Sequence, residues 1–168
     1  TKPFYNMNYR RQEVIGILLC VLALCVFLSF ATYNPYETPS GLTPEVAQTN
    51  IMGLFGIYIS YYLMKFSFGW GTFFIPFIIG LIGSNLFLRR EWEQTWRYSR
   101  FLAGFGIWAS LLISWIGQYK GGMWQAEYPG LIGFILWEFF IDIFGIYASG
   151  MIHSVVFILL ISGLFHFS

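Results

Sequence analysis

Charged residues are scarce in this sequence. The chain has 9 Lys and Arg and 8 Asp and Glu among 168 residues, which is 10% charged. A soluble domain carries about 25% charged residues, so these side chains cannot cover a surface that faces water. The mean hydropathy is +0.64 and 57% of the residues are apolar. The scarcity excludes an ordinary soluble domain and predicts an integral membrane protein.

Cysteine and metal-binding side chains are also few. Cys20 and Cys25 are the two cysteines, and five positions on a helix separate their directions by about 140°. They cannot bridge each other and are most simply small packing residues. His153 and His166 have no Cys, Asp or Glu at the spacing of a ligand set. The sequence therefore predicts no metal site, no cofactor and no catalytic residue.

Long apolar runs dominate what is present. Four stretches contain no Asp, Glu, Lys or Arg, and about 20 apolar residues cross a hydrocarbon core as a helix. A transmembrane barrel strand would alternate apolar and polar residues, and none of the four does. The sequence predicts one all-α membrane domain over 1–168 whose four spans are 14–32, 69–88, 101–117 and 145–167.

The arginines indicate how the chain threads the membrane. Cytoplasmic loops of membrane proteins are rich in Lys and Arg, and four single crossings place the N-terminus and loop 89–100 on one side. That side collects seven basic residues, and only Lys65 and Lys120 remain on the other. We therefore expect both termini to be cytoplasmic. The predicted topology determinants are Arg10, Arg11, Arg89, Arg90, Arg97 and Arg100.

Two further apolar stretches, 50–68 and 129–144, are predicted not to cross. If the first stretch crossed, loop 89–100 and its arginines would lie on the outer side, against the enrichment of Lys and Arg in cytoplasmic loops. Lys65 lies in the first stretch, and Glu138 and Asp142 lie four residues apart in the second. Charge on one face and apolar residues on the rest are typical of an amphipathic helix that lies in the outer interface.

These two stretches form an internal repeat. "GLFGIYISYYLMKFSFG" at 53–69 aligns with "GLIGFILWEFFIDIFG" at 130–145 with one residue of slip. The plan of span, outer loop, interfacial helix and span thus occurs twice in parallel orientation. The predicted helix-packing residues are Gly53, Gly56, Gly130 and Gly133, because small residues let membrane helices approach closely. The alignment sets Lys65 opposite Asp142, so an ion pair between Lys65 and Asp142 or Glu138 is one hypothesis. The alternative is that each of these charges reaches water separately.

The order of features resembles the N-terminal membrane domain of the FtsK/SpoIIIE family of bacterial DNA translocases. The matching segments are "RRQEVIGILLCVLALCVFLSFATYNPYE" (10–37), "NIMGLFGIYISYYLMKFSFGWGTFFIPFIIGLIG" (50–83), "LFLRR" (86–90) and "GLIGFILWEFFIDIFGIYASGMIHSVVFILLISGL" (130–164). Tyr58 and Ser60 depart from the small and acidic residues usual there.

The resemblance implies a membrane anchor for a septum-associated DNA translocase that acts in cell division and chromosome partition. It implies the bacterial inner membrane, divisome membrane proteins and membrane lipids as partners, and a homo-oligomer that would be a hexamer if the motor is attached. The ATP-driven motor uses a G-x-x-x-x-G-K-[ST] loop, which is absent from these 168 residues. The motor, and DNA contact through it, would lie in a missing C-terminal region, so this segment is not expected to be an enzyme. The alternative is a small integral subunit of a larger membrane enzyme or transporter complex.

Overall fold

The fold is a bundle of helices in a computed structural model that describes residues 9–41 and 49–166. The α-helices are α1 (Tyr9–Ala31), α2 (Gly53–Ser60), α3 (Phe74–Leu88), α4 (Trp92–Lys120), α5 (Met123–Ala126) and α6 (Gly130–His166). A π-helical turn (Tyr61–Lys65) continues α2, and 3-10 turns occupy Pro39–Gly41 and Gly69–Phe73. The described residues contain four segments long and apolar enough to cross a membrane: Tyr9–Ala31, Gly69–Leu88, Trp92–Lys120 and Gly130–Gly163.

Helices α1 and α3 form an antiparallel pair with a backbone-to-backbone seam. A Cβ added to Gly16 would lie 2.7 Å from the Gly83 carbonyl oxygen, and one added to Gly83 would lie 2.8 Å from the Gly16 oxygen. Beyond this seam Phe73 packs edge-on against Phe27 and Phe30, with ring centroids 5.6 Å apart in both pairs. The first half of the chain is therefore held by glycine contact at one end and by aromatic rings at the other.

Helix α4 presents small side chains to the rest of the bundle. Its buried residues are Thr95, Ser99, Gly106, Ser110, Ser114 and Gly117. Their spacing of three, four or seven positions keeps them on one helix face. This face contacts the 3-10 turn at Gly71 and the start of α6 at Gly133, so α4 lies between the two halves of the molecule.

Helix α6 consists of two arms that fold back at Gly145. This glycine has φ 74° and ψ 163°, which is not helical. The Ser149 hydroxyl donates to the Phe140 carbonyl oxygen at 2.9 Å, nine residues away. Trp137 also contacts His153, with ring centroids 6.2 Å apart. A straight helix would separate either pair by more than about 13 Å, so the first arm (130–144) returns against the second arm (146–166).

The two sequence repeats have matching backbones. Gly53 and Gly130 open the repeated segments with φ 59° and 70°, and Gly69 and Gly145 close them with φ 54° and 74°. Positive φ is strongly unfavourable for residues with a Cβ, which explains why glycine stands at both pairs of aligned positions. We call α1 to α3 the first repeat and α4 to α6 the second repeat.

The structure differs from the sequence prediction at several boundaries. Residues 89–100 were predicted as a loop, but α4 begins at Trp92, so only a short turn is non-helical there. The segment 50–68 is helical over 53–66 and not at its two ends. Pro76 lies inside the predicted span 69–88 and in the first turn of α3, where its missing N–H costs no helical hydrogen bond. The predicted end of the last span at 167 lies outside the described residues.

Candidate functional site

The Arg89–Glu91 turn brings the beginning of α1 to the end of α3. Arg89 ends α3 in the left-handed conformation with φ 56°. Its guanidinium forms an ion pair with the Glu13 carboxylate and lies 4.9 Å from the centroid of the Tyr9 ring. The predicted placement of the two arginine clusters at the same end of the bundle is therefore present in the structure. We call this end the arginine end.

Asn85 stabilises this turn and was not among the residues predicted from the sequence. Its side-chain nitrogen donates to the Glu91 backbone carbonyl oxygen at 3.2 Å and to the Thr95 hydroxyl. The backbone carbonyl oxygen of Asn85 accepts from the Arg90 backbone amide at 3.2 Å. Asn85 is 3% exposed. A lone amide side chain near the end of an apolar span was the available signal, because buried polar groups need hydrogen-bond partners.

The two ends of the bundle carry opposite charge. Among the described residues, the arginine end has six arginines and three glutamates, and the opposite end has four acidic residues and two lysines. Arg10, Arg11, Arg89, Arg90 and Arg100 are exposed and Arg97 is partly exposed. The Arg97 guanidinium lies 5.8 Å from the centroid of the Tyr98 ring. This distribution suits a membrane surface that carries anionic lipids on the arginine side.

The repeats meet through backbone contacts at the opposite end. The Trp70 amide donates to the Tyr128 carbonyl oxygen, and the Ile132 amide donates to the Ser67 carbonyl oxygen, both at 2.9 Å. A Cβ on Gly69 would lie 1.9 Å from the Tyr128 oxygen, and a Cβ on Gly130 would lie 2.3 Å from the Gly69 nitrogen. The end of the first repeated segment therefore contacts the start of the second. Among the described residues, and apart from the neighbouring backbone of α6, no atom lies within 4 Å of a Cβ placed on Gly145. The contact between the repeats is therefore head-to-tail rather than twofold.

The predicted ion pair of Lys65 is wrong in its partner. Lys65 pairs with Glu127, with Nζ and Oε1 3.5 Å apart. Glu138 instead accepts a hydrogen bond at its carboxylate from the Gln118 side-chain amide at 2.8 Å. No ion pair between Lys65 and Asp142 or Glu138 occurs among the described residues. The reason is the head-to-tail junction: it sets the end of the first segment against Glu127, three residues before the second segment begins.

The four predicted packing glycines lie in four different environments. A Cβ on Gly133 would lie 1.8 Å from the Ser110 hydroxyl, which makes Gly133 a helix-to-helix contact. A Cβ on Gly56 would lie 1.9 Å from the Asn50 side chain, which is a local contact at the start of α2. Gly130 contacts the first repeat, as described above, and Gly53 supplies a positive φ.

His153 is enclosed by aromatic rings in the second repeat. It is 6% exposed, its ring stacks on Trp108 with centroids 4.9 Å apart, and Trp137 contacts it edge-on. The Trp108 indole donates to the His153 backbone oxygen at 3.2 Å. The imidazole Nε2 has no hydrogen-bond partner among the described residues. Ring stacking rather than hydrogen bonding therefore holds the imidazole.

Comparison with known proteins gives one family. A family profile described as the 4TM region of DNA translocase FtsK/SpoIIIE matches residues 8–168. No curated protein and no solved structure matches the chain. Within the described residues, no group of three or more His, Cys, Asp or Glu side chains could hold a metal ion.

Proposed function

Because this chain belongs to the family of FtsK/SpoIIIE membrane regions, we propose that it anchors a DNA translocase at the bacterial division septum. The observation that carries the proposal is the family match over residues 8–168, which covers all four candidate spans. The anchor would serve cell division and chromosome segregation. Its partners would be divisome membrane proteins, membrane lipids and further copies of the same chain, as a hexamer when a motor is attached.

We further propose that this segment performs no catalysis and contacts DNA only through a motor domain. The polar groups of the bundle support a structural role for this segment, because many of them form hydrogen bonds to neighbouring backbone atoms. The Ser110 hydroxyl donates to the Pro129 carbonyl oxygen at 2.7 Å, and the Asn50 side-chain amide donates to the Ser29 backbone carbonyl oxygen at 2.9 Å. Such contacts fix the bundle and leave these groups without a chemical role.

A chimaera tests the anchoring function. The motor of a related translocase, deprived of its own membrane region, is fused after Ser168 and expressed in a strain that lacks the intact translocase. We expect a septal band of the fluorescently tagged fusion and restored chromosome segregation. The matched control carries an unrelated four-span protein before the same motor, which should spread over the whole membrane. Uniform distribution of both fusions would contradict the proposal.

The proposed topology places both termini and the arginine end in the cytoplasm. Single cysteines are introduced at Gln94 and Gln125, which are both exposed, after Cys20 and Cys25 are replaced by alanine. A membrane-impermeant maleimide added outside the inner membrane should label position 125 and leave position 94 unlabelled until the membrane is opened. Thr95 is unsuitable because it is 7% exposed and bonded to Asn85. Labelling of position 94 from outside would overturn the orientation.

A further inference from the structure

The bundle contains an apolar groove that opens between α3, α4 and the second arm of α6. Its volume is about 400 Å³, and it is lined by Leu81, Phe101, Leu102, Phe105, Leu160 and Ile161, with Tyr98 completing the lining. We call it the α4 groove. Apart from the Tyr98 hydroxyl, the side chains that line it are purely hydrocarbon. The surrounding helices are candidate membrane spans, so the natural occupant of such a groove is apolar and elongated.

A positive charge lies at one end of this groove. Tyr98 is the lining residue of α4 nearest the arginine end, because α4 begins at Trp92 and the other α4 residues of the groove follow Tyr98. The Arg97 guanidinium lies over the Tyr98 ring, with 5.8 Å between its central carbon and the ring centroid. A cation beyond the end of a hydrocarbon groove is complementary to a molecule with an acyl chain and an anionic headgroup.

A neighbouring groove provides an internal comparison. It has a volume of about 420 Å³ and is lined by residues of α1, α3 and α4, including Leu24, Phe27, Phe77 and Ser84. The size and apolar character of the two grooves are similar. The lining of the neighbouring groove contains no charged residue, and among the described residues no arginine lies over one of its aromatic rings. Volume alone therefore does not distinguish the α4 groove, whereas the Arg97–Tyr98 pair does.

We propose that the α4 groove binds one anionic phospholipid, with an acyl chain along the groove and the headgroup phosphate at Arg97 and Tyr98. The lipid belongs to the leaflet on the arginine side of the bundle. Arginine suits this contact because its guanidinium stays charged, has five N–H donors and can rest one face on an aromatic ring. The Tyr98 hydroxyl is a second donor beside it.

The test is native mass spectrometry of the purified chain in mixed micelles of phosphatidylglycerol and phosphatidylcholine with identical acyl chains. We expect one retained lipid, with phosphatidylglycerol preferred about fivefold, which corresponds to about 1 kcal/mol for one cation at a membrane surface. Arg97→Gln should bring the preference close to one, and Arg97→Lys should keep most of it. Arg100→Gln is the matched control, because position 100 points about 200° away from Tyr98 on α4 and should leave the preference unchanged.

Occupancy of the groove is tested separately. Ile161→Trp fills the α4 groove and should remove the retained lipid, whereas Leu24→Trp fills the neighbouring groove and should not. Circular dichroism and the gel-filtration volume in detergent establish that each variant is folded. Equal loss of preference in Arg97→Gln and Arg100→Gln would show diffuse attraction instead of a site. A lipid-free dimer that Ile161→Trp abolishes would make a second copy the occupant. Either result would overturn the proposal.

Discussion

The two repeats share a plan of helices and glycine hinges but fill their interiors differently. The first repeat packs α1 on α3 through Gly16 and Gly83, and its buried cluster of Val26, Phe30 and Met64 is apolar. The second repeat packs α4 on α6 with aromatic rings around His153 and with hydroxyl groups along α4. Backbone geometry is therefore the part of the plan that both copies keep, and the identity of the filling side chains is the part that varies.

The largest difference in stability is expected between alanine substitutions at Gly69 and Gly145, which are aligned in the two repeats. Gly69→Ala should cost about 3 kcal/mol or more, because a Cβ there both adopts an unfavourable positive φ and overpacks the junction. Gly145→Ala should cost only the backbone strain, about 1–3 kcal/mol, since its surroundings are open. Thermal unfolding in detergent measures both. Equal destabilisation would mean that the junction contributes nothing beyond the φ requirement.

A smaller contrast is expected between the seams of the two helix pairs. Gly83→Ala should destabilise by about 1–3 kcal/mol, because its Cβ meets the α1 backbone, which cannot move aside easily. At Gly163 a Cβ would meet the Phe101 ring at 3.0 Å, and that side chain can rotate. Gly163→Ala should therefore cost well under half as much as Gly83→Ala in the same melting experiment. The reverse order would refute a rigid first seam and an adaptable second one.

The ion pair between the repeats should contribute still less to the free energy of unfolding. Lys65 and Glu127 have side chains 33% and 25% exposed, and pairs that water reaches are worth roughly 0.2–1 kcal/mol. A double-mutant cycle with Lys65→Met and Glu127→Gln should give a coupling energy in this range. The matched cycle of Lys65→Met with Asp142→Asn should give none. Coupling to Asp142 would revive the twofold arrangement that the backbone contacts contradict.

The smallest effect on stability at neutral pH is expected for substitution of Tyr33, which follows α1. Burial, with a smaller contribution from the negative charge of Glu127, raises its pKa from 10.0 to about 12. A raised pKa in the folded state means that the phenol favours folding below pH 10, and that this contribution is lost as the pH rises through 12. Tyr33→Phe should leave the melting temperature at pH 7 nearly unchanged, because the hydroxyl has no partner among the described residues. Between pH 10 and 12 the variant should lose less stability than the unaltered chain.

The sequence predicted the parts of the fold that depend on composition and periodicity. The four spans, the all-helical class and the family are confirmed, because apolar length and repeated glycines are properties of the chain itself. The α4 start at Trp92 was missed because the charged residues of 89–100 indicated a loop. In the structure Asn85 and Thr95 bond across the turn and allow a helix to begin early. The Lys65 partner was missed because an alignment of repeats compares equivalent positions, and equivalent positions do not touch in a head-to-tail arrangement.

The backbone hydrogen bonds that join the repeats also determine which substitutions the junction tolerates. They use the amides of Trp70 and Ile132 and the carbonyl oxygens of Ser67 and Tyr128. Every residue brings a carbonyl and every residue except proline brings an amide, so substitutions at these four positions keep the bonds. At the junction itself, Gly69 and Gly130 are restricted to glycine, because a side chain there would meet the opposing backbone. Two descendants of this chain could therefore share almost no side chain at the junction and still join their repeats in the same way.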